Sequence, residues 1–239
     1  MSKKIAEGTS ALVLDVKVGS GAFMKDENSA RNLAETMVKI GNSHGVATTA
    51  LLTNMQTPLG RTAGNAVEVA EAVEVLAGGG PADVRELTLA LAREMTQLAQ
   101  LDADPEAMLD SGVAMDKWRE MISAQDGDPD APLPKAKETE EVRAATSGYL
   151  AELDALSVGI AAWRLGAGRA HKEDPVSAAA GITWRVRPGE SVKTGDTLFT
   201  LHTDDPSRIP SALEALDGGY KIADAPPVLP PVVLDKVSE

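Results

Sequence analysis

The chain has 239 residues, 43% of them hydrophobic and 25% charged, which suits one or two globular domains with a substantial core. A formal net charge of -13 argues against gripping a nucleic-acid backbone, and the absence of cysteine removes disulfides, thiolate metal sites and thiol catalysis. No apolar run is long enough to span a bilayer, and Lys3, Lys4 and Glu7 interrupt any signal-peptide core, so the cytoplasm is the expected compartment.

Ser2 to Glu7 reads as the tail of a helix closed by Gly8. Ala11 to Val18 is an almost continuous apolar run, the pattern of a strand covered on both faces in an α/β sheet. Asp26 is placed to cap a helix carrying Ala30, Leu33, Ala34, Met37 and Val38, which ends at Gly41 and Gly45. Val46 to Thr53 is a second strand, so strand, helix and strand imply a right-handed parallel crossover. Asn54 to Gly64 reads as a loop holding Pro58-Leu59-Gly60-Arg61. Asn65 and Glu68 have capping-box spacing before a helix with Val69, Val73 and Leu76 on one face. Gly78-Gly79-Gly80-Pro81 breaks the chain, and a helix from about Asp83 to Gln100 follows, striped by Leu87, Leu91 and Leu98. Asp104-Pro105 opens another helix, carrying Met108, Met115, Trp118 and Ile122.

Residues 126–141 change character, with Pro129, Pro132 and Pro134 among charges, and read as a linker. Short strands follow at Gly148 to Leu153, Gly181 to Val186 and Thr197 to His202, with a short helix from about Ala155 to Leu165. The tail after Tyr220 is proline-rich and expected to be poorly ordered. The fold class is therefore α/β: a partial α/β sheet domain with helices over 1–125, the linker, a small β-rich α+β domain over 142–220, and a tail over 221–239.

Two local patterns invite chemistry. Gly19-Ser20-Gly21 follows a strand, but it is not a GxGxxG motif and reads better as a tight turn than as a phosphate cradle. His44, His171 and His202 are scattered and form no metal spacing. Asp15 and Lys17 alternate with apolar neighbours and are placed to pair at the strand end.

The ordered set Ser2-Lys3-Lys4-Ile5-Ala6-Glu7-Gly8, Leu14 to Met24, Pro58-Leu59-Gly60-Arg61 with Gly64-Asn65, and Gly80-Pro81-Ala82-Asp83 resembles the thymidine and pyrimidine-nucleoside phosphorylases. The resemblance continues through Ser147-Gly148-Tyr149, Leu165-Gly166-Ala167-Gly168-Arg169 and Gly181-Ile182. It implies phosphate-dependent cleavage of a nucleoside such as thymidine to free base and pentose 1-phosphate, by a homodimer whose cleft lies between an all-α and an α/β domain. Residues 1–8 would end a helix of the all-α domain. No organic cofactor is implied; inorganic phosphate is the co-substrate.

By the same resemblance Lys3 falls on the lysine that contacts the pyrimidine base. Leu59, Thr62 and Glu71 fall on ligands of a monovalent cation taken as potassium, two of them through backbone carbonyls; Thr62 stands where alanine is common. The family's glycine-rich phosphate segment, a histidine near the base, and a base-binding arginine and serine fall upstream of Met1. That makes this the C-terminal portion, inactive by itself, with the strand at Ala11 to Val18 left with an open apolar edge. Arg169 is read as docking the C-terminal piece. Two other readings stand beside this one. The first is a non-catalytic remnant. The second is a lipoyl- or biotinyl-like module, since Val186 to Leu201 resembles a carrier hammerhead but offers no lysine at a hairpin tip.

Overall fold

The computed structural model describes residues 1–238 and mixes helices with three small sheets, as an α/β chain should. A short helix α1 (Ser2–Ala6) leads to strand β1 (Ala11–Val18), helix α2 (Glu27–Ser43) and strand β2 (Ala47–Asn54). Asp26 caps α2 by accepting the Ser29 N–H at 2.9 Å. β1 and β2 pair in parallel, from Ala11 opposite Ala47 to Val18 opposite Asn54, with α2 as the crossover. β2 is the central strand and is buried from Thr48 to Thr53. β1 lies at the sheet border, so of its apolar run only Val16 and Val18 are buried; cover on both faces holds for β2 and not for β1.

The segment expected to be wholly loop contains strand β3 (Thr62–Gly64). Helix α3 (Ala66–Leu76) follows. Its Asn65 makes no capping bond, because its side-chain amide donates instead to the carbonyls of Ala167 and Ser177, at 2.9 and 2.8 Å. Glu68 reaches back to the Gly64 N–H at 2.7 Å. Ala66 and Val75 are the buried residues of α3 rather than the Val69 stripe, and Val69 is exposed. Helix α4 (Ala82–Leu98) buries Leu87 and Leu89. The single helix expected after Asp104 is two, α5 (Pro105–Asp110) and α6 (Val113–Ala124), parted at Gly112, whose φ of +85° does not continue a right-handed helix.

In the second half, strand β4 (Glu138–Arg143) occupies the end of the stretch read as linker. Then come β5 (Gly148–Leu153), α7 (Ala155–Ala162), β6 (Gly181–Trp184), β7 (Ser191–Val192), β8 (Thr197–Thr203), α8 (Ile209–Leu216) and β9 (Tyr220–Ala223). α7 runs on into a π-helical turn, Trp163–Ala167, which Gly166 ends at φ +106°. One sheet has the order β3-β6-β8-β4 and another β7-β5-β9, all antiparallel. Between them and α7 lies the main core, built on Leu150, Val158, Leu165, Ile182, Phe199, Leu201 and Leu216. Phe199 meets Tyr220 edge to face at 5.2 Å.

The tail is not loose. Strand β10 (Val233–Val237) adds antiparallel to β2, giving the order β1-β2-β10, and Lys236 pairs with Glu94 of α4 at 2.6 Å. β2 has one open side once β1 is in place, and an antiparallel return strand satisfies its remaining backbone groups.

Candidate functional site

The carboxyl ends of β1 and β2 open into a cavity of about 410 Å³, a size suited to a small ligand. In parallel sheets this is the end at which ligands bind. Lys17 of β1, Asn54 of β2, Leu59, Thr62 and Glu71 all line it, and Ala155 and Val158 of α7 close it from the second half. Leu59, Thr62 and Glu71 are thus brought together, although the loop after β2, strand β3 and helix α3 supply them separately.

Glu71 is half-buried. Its Oε1 accepts the Arg61 N–H at 2.7 Å, while the Gly60 N–H goes to Asp83 at 3.1 Å. Gly60 has φ +74°, and a Cβ there would lie 2.1 Å from Glu71 Oε2, so only glycine lets the turn lie against the carboxylate. Burial pushes the Glu71 carboxyl above its ordinary value; the Arg61 N–H, the Thr62 hydroxyl and the Arg61 guanidinium pull it down, and Asp83 pushes it further up. Thr62 Oγ1 lies near enough to favour the charged form of Glu71, yet it is buried without a partner of normal hydrogen-bond geometry. A half-desolvated carboxylate beside an orphaned hydroxyl oxygen is an arrangement a hard cation relieves. The residues present therefore fit a potassium ion.

Asp83 also receives Arg187 at 2.5 Å, which ties the turn after β6 to the loop around Gly60. This ion pair had no signal in sequence, because its partners lie far apart in the chain. Asp15 and Lys17 pair as expected, at 2.5 Å, and Thr53 donates its hydroxyl to Asp15. Phe23 was not singled out by its sequence; it stands 98% exposed just past the carboxyl end of β1, an aromatic ring with no protein to cover it.

The Gly19-Ser20-Gly21 turn cradles no anion. The N–H groups of Gly19, Ser20 and Gly21 go to Met24 O, Gln56 Oε1 and Met55 O, at 3.0, 3.1 and 3.0 Å. Lys3 is exposed on α1, which buries no residue; Met1 beside it reaches Gly41 near the end of α2, the side of the sheet from which β2 starts. The structure does not bring Lys3 together with Leu59, Thr62 and Glu71. His202 is half-buried against the Thr183 hydroxyl at 3.1 Å, and burial lowers its pKa. Among the described residues no three His, Asp or Glu side chains converge to hold a metal.

The family described as glycosyl transferase family, a/b domain, matches residues 1–122, and the pyrimidine nucleoside phosphorylase C-terminal domain matches residues 149–223. The chain is 55% identical over 238 residues to a thymidine phosphorylase of Mycobacterium tuberculosis (strain ATCC 25618 / H37Rv), covering 99% of this chain and 56% of that protein. It is 42% identical over 249 residues to a pyrimidine-nucleoside phosphorylase of Staphylococcus aureus (strain bovine RF122 / ET3-1), covering 99% and 57%. The chain thus spans little more than half the length of these relatives. It belongs to the glycosyl transferase family marked by that a/b domain, and it carries the C-terminal domain of the pyrimidine nucleoside phosphorylases.

Proposed function

We propose that this chain forms part of a pyrimidine-nucleoside phosphorylase that prefers thymidine, a cytoplasmic homodimer when whole. What carries the reading is 55% identity to a thymidine phosphorylase along 99% of the chain. The domain division proposed is 1–125 for the α/β part, 126–141 for the linker and 142–220 for the C-terminal domain.

In the reaction, a phosphate oxygen attacks C1′ of the sugar. The bond from C1′ to the base nitrogen breaks, and its electron pair leaves with the base, giving thymine and 2-deoxyribose 1-phosphate. Negative charge grows on the departing base, so an ammonium held beside it stabilises the transition state more than the substrate. Lys3 is assigned that role by the resemblance; in this chain it stands exposed on α1, on the side from which β2 starts and apart from Leu59, Thr62 and Glu71. Phe23 offers an apolar face past the carboxyl end of β1. Leu59 and Thr62, through oxygen atoms, and Glu71, through its carboxylate, would hold potassium, which supplies positive charge that fixes the loop after β2.

A chimera tests the reading: the N-terminal portion of the Mycobacterium tuberculosis thymidine phosphorylase lying outside the match, joined to these 239 residues. It is expected to release thymine from thymidine only when phosphate is present, and Lys3→Ala is expected to lower kcat by about a hundredfold or more. A soluble, folded chimera without phosphorolysis would refute the assignment. These 239 residues by themselves are expected to give no thymine above a no-enzyme control.

A further inference from the structure

We propose that a second cavity, on the C-terminal domain, binds a phosphate monoester, with arginines gripping the phosphoryl group and Trp163 flanking the organic part. The cavity measures about 420 Å³ and is lined by Trp163, Arg164, Arg169, Arg208 and Asp174 among others. That volume is in the range of small-molecule sites. It shares no lining residue with the cavity at Glu71, so it is a different place on the molecule.

Three guanidinium groups around one cavity stand out in a chain of net charge -13. Two of them are held in place by the fold. Arg164 Nη1 donates to the Ser211 carbonyl at 2.6 Å and to Glu214 at 2.8 Å. Arg208 Nη1 donates to the Arg164 carbonyl at 3.4 Å, and its Nε faces Asp205 at 3.5 Å. Each guanidinium carries five N–H donors, so both keep donors to spare. Arg169 touches only the Lys172 carbonyl, at 3.4 Å, and no carboxylate among the described residues.

Of the acidic neighbours, Glu214 and Asp205 each pair with one of these arginines, while Asp174 is occupied by other groups. Asp174 Oδ2 accepts the Ala170 and His171 N–H groups at 3.2 and 2.8 Å, and it faces His171 Nδ1 at 3.3 Å. Asp205 accepts the N–H and hydroxyl of Ser207, at 3.0 and 2.6 Å, and Glu214 projects largely into solvent. Planar forks of this kind match phosphoryl oxygens in pairs. The π-helical turn, closed by Gly166, sets Trp163 and Arg164 side by side, and Trp163 is 43% exposed there. Its ring gives the organic moiety a flat apolar surface, which a bare phosphate ion cannot use.

The test is a titration of these 239 residues followed by tryptophan fluorescence and calorimetry. The ligands are 2-deoxyribose 5-phosphate and thymidine 5′-monophosphate; thymidine, inorganic phosphate and sodium chloride at matched ionic strength are the controls. Saturable binding of at least one monoester below about 1 mM is expected, with none by thymidine. Arg169→Ala is expected to weaken it about tenfold or more, with Arg169→Lys intermediate and both variants melting like the parent. No saturation by about 10 mM, an unchanged affinity in Arg169→Ala, an equal response to sodium chloride, or inorganic phosphate binding as tightly as the monoesters would each overturn the proposal.

Discussion

Phe199, Leu201, Ile182 and Leu165 are completely enclosed in the second half of the molecule, whereas Leu12, Val13 and Leu14 of β1 remain partly open at a sheet border. α6 buries nothing at all, and α5 buries only Leu109. The half that holds most of the candidate cleft is the thinner-packed half. Dense packing sits instead in the domain that closes the cleft from one side through Ala155 and Val158. Elements that bind and release ligands belong to the less stable part of a fold, and the contrast here follows that logic.

The largest effect that separates the two regions is a core truncation. Phe199→Ala is expected to destabilise the chain by about 3–5 kcal/mol, because it leaves a cavity and removes the contact with Tyr220. Leu12→Ala on β1 is expected to lose about 1 kcal/mol or less, since its side chain keeps part of its contact with water. Urea unfolding of both variants decides this, and equal losses would erase the contrast. Hydrogen exchange sharpens it: α5 and α6 should exchange well before α7 and β8.

Next comes the junction of the halves. Asp154 accepts the Ser157 N–H at 2.8 Å and caps α7. Burial raises its pKa, but bonds from Ser20 and Ser157 and the charge of Lys25 outweigh that and leave it lowered from 3.8. A carboxyl with a depressed folded pKa adds stability above its unfolded value, and that stability is lost as pH falls through the folded value. Asp154→Ala should therefore lower stability by about 1 kcal/mol at pH 7 and by less at pH 3, as read by thermal melts.

The smallest effect lies in the cleft. The Glu71 pKa is raised from 4.5, so ionising it opposes folding as pH climbs above that value. Glu71→Gln keeps an acceptor for the Arg61 N–H and is expected to leave the melting point level or slightly higher in lithium or choline buffer. Potassium should raise the melting point of the parent and not of the variant. A variant that still responds to potassium would remove Glu71 from the cation shell.

The parts legible in sequence were those whose signal is local. Ala11–Val18, the Asp26 cap and the Asp104-Pro105 start all declare themselves within a few residues. β3 is only three residues long and exists because Thr62–Gly64 pairs with Gly181–Thr183. β4 reads as charged linker because it is an exposed edge, where Glu138, Glu140 and Glu141 face water and discourage further pairing. β10 hides behind prolines. In the site, resemblance pointed to Leu59, Thr62 and Glu71, but the orphaned Thr62 oxygen and the Asp83–Arg187 tie arise from tertiary placement alone.

The seating of β10 against β2 has a consequence for synthesis. The strand ending at Asn54 is flanked on one side at once by β1, but its other flank is supplied by Val233–Val237. At about 5–20 residues per second a ribosome needs roughly ten to forty seconds to travel between them. During that interval the nascent sheet shows a bare, apolar edge, and only the emergence of Val233–Val237 from the exit tunnel can cover it.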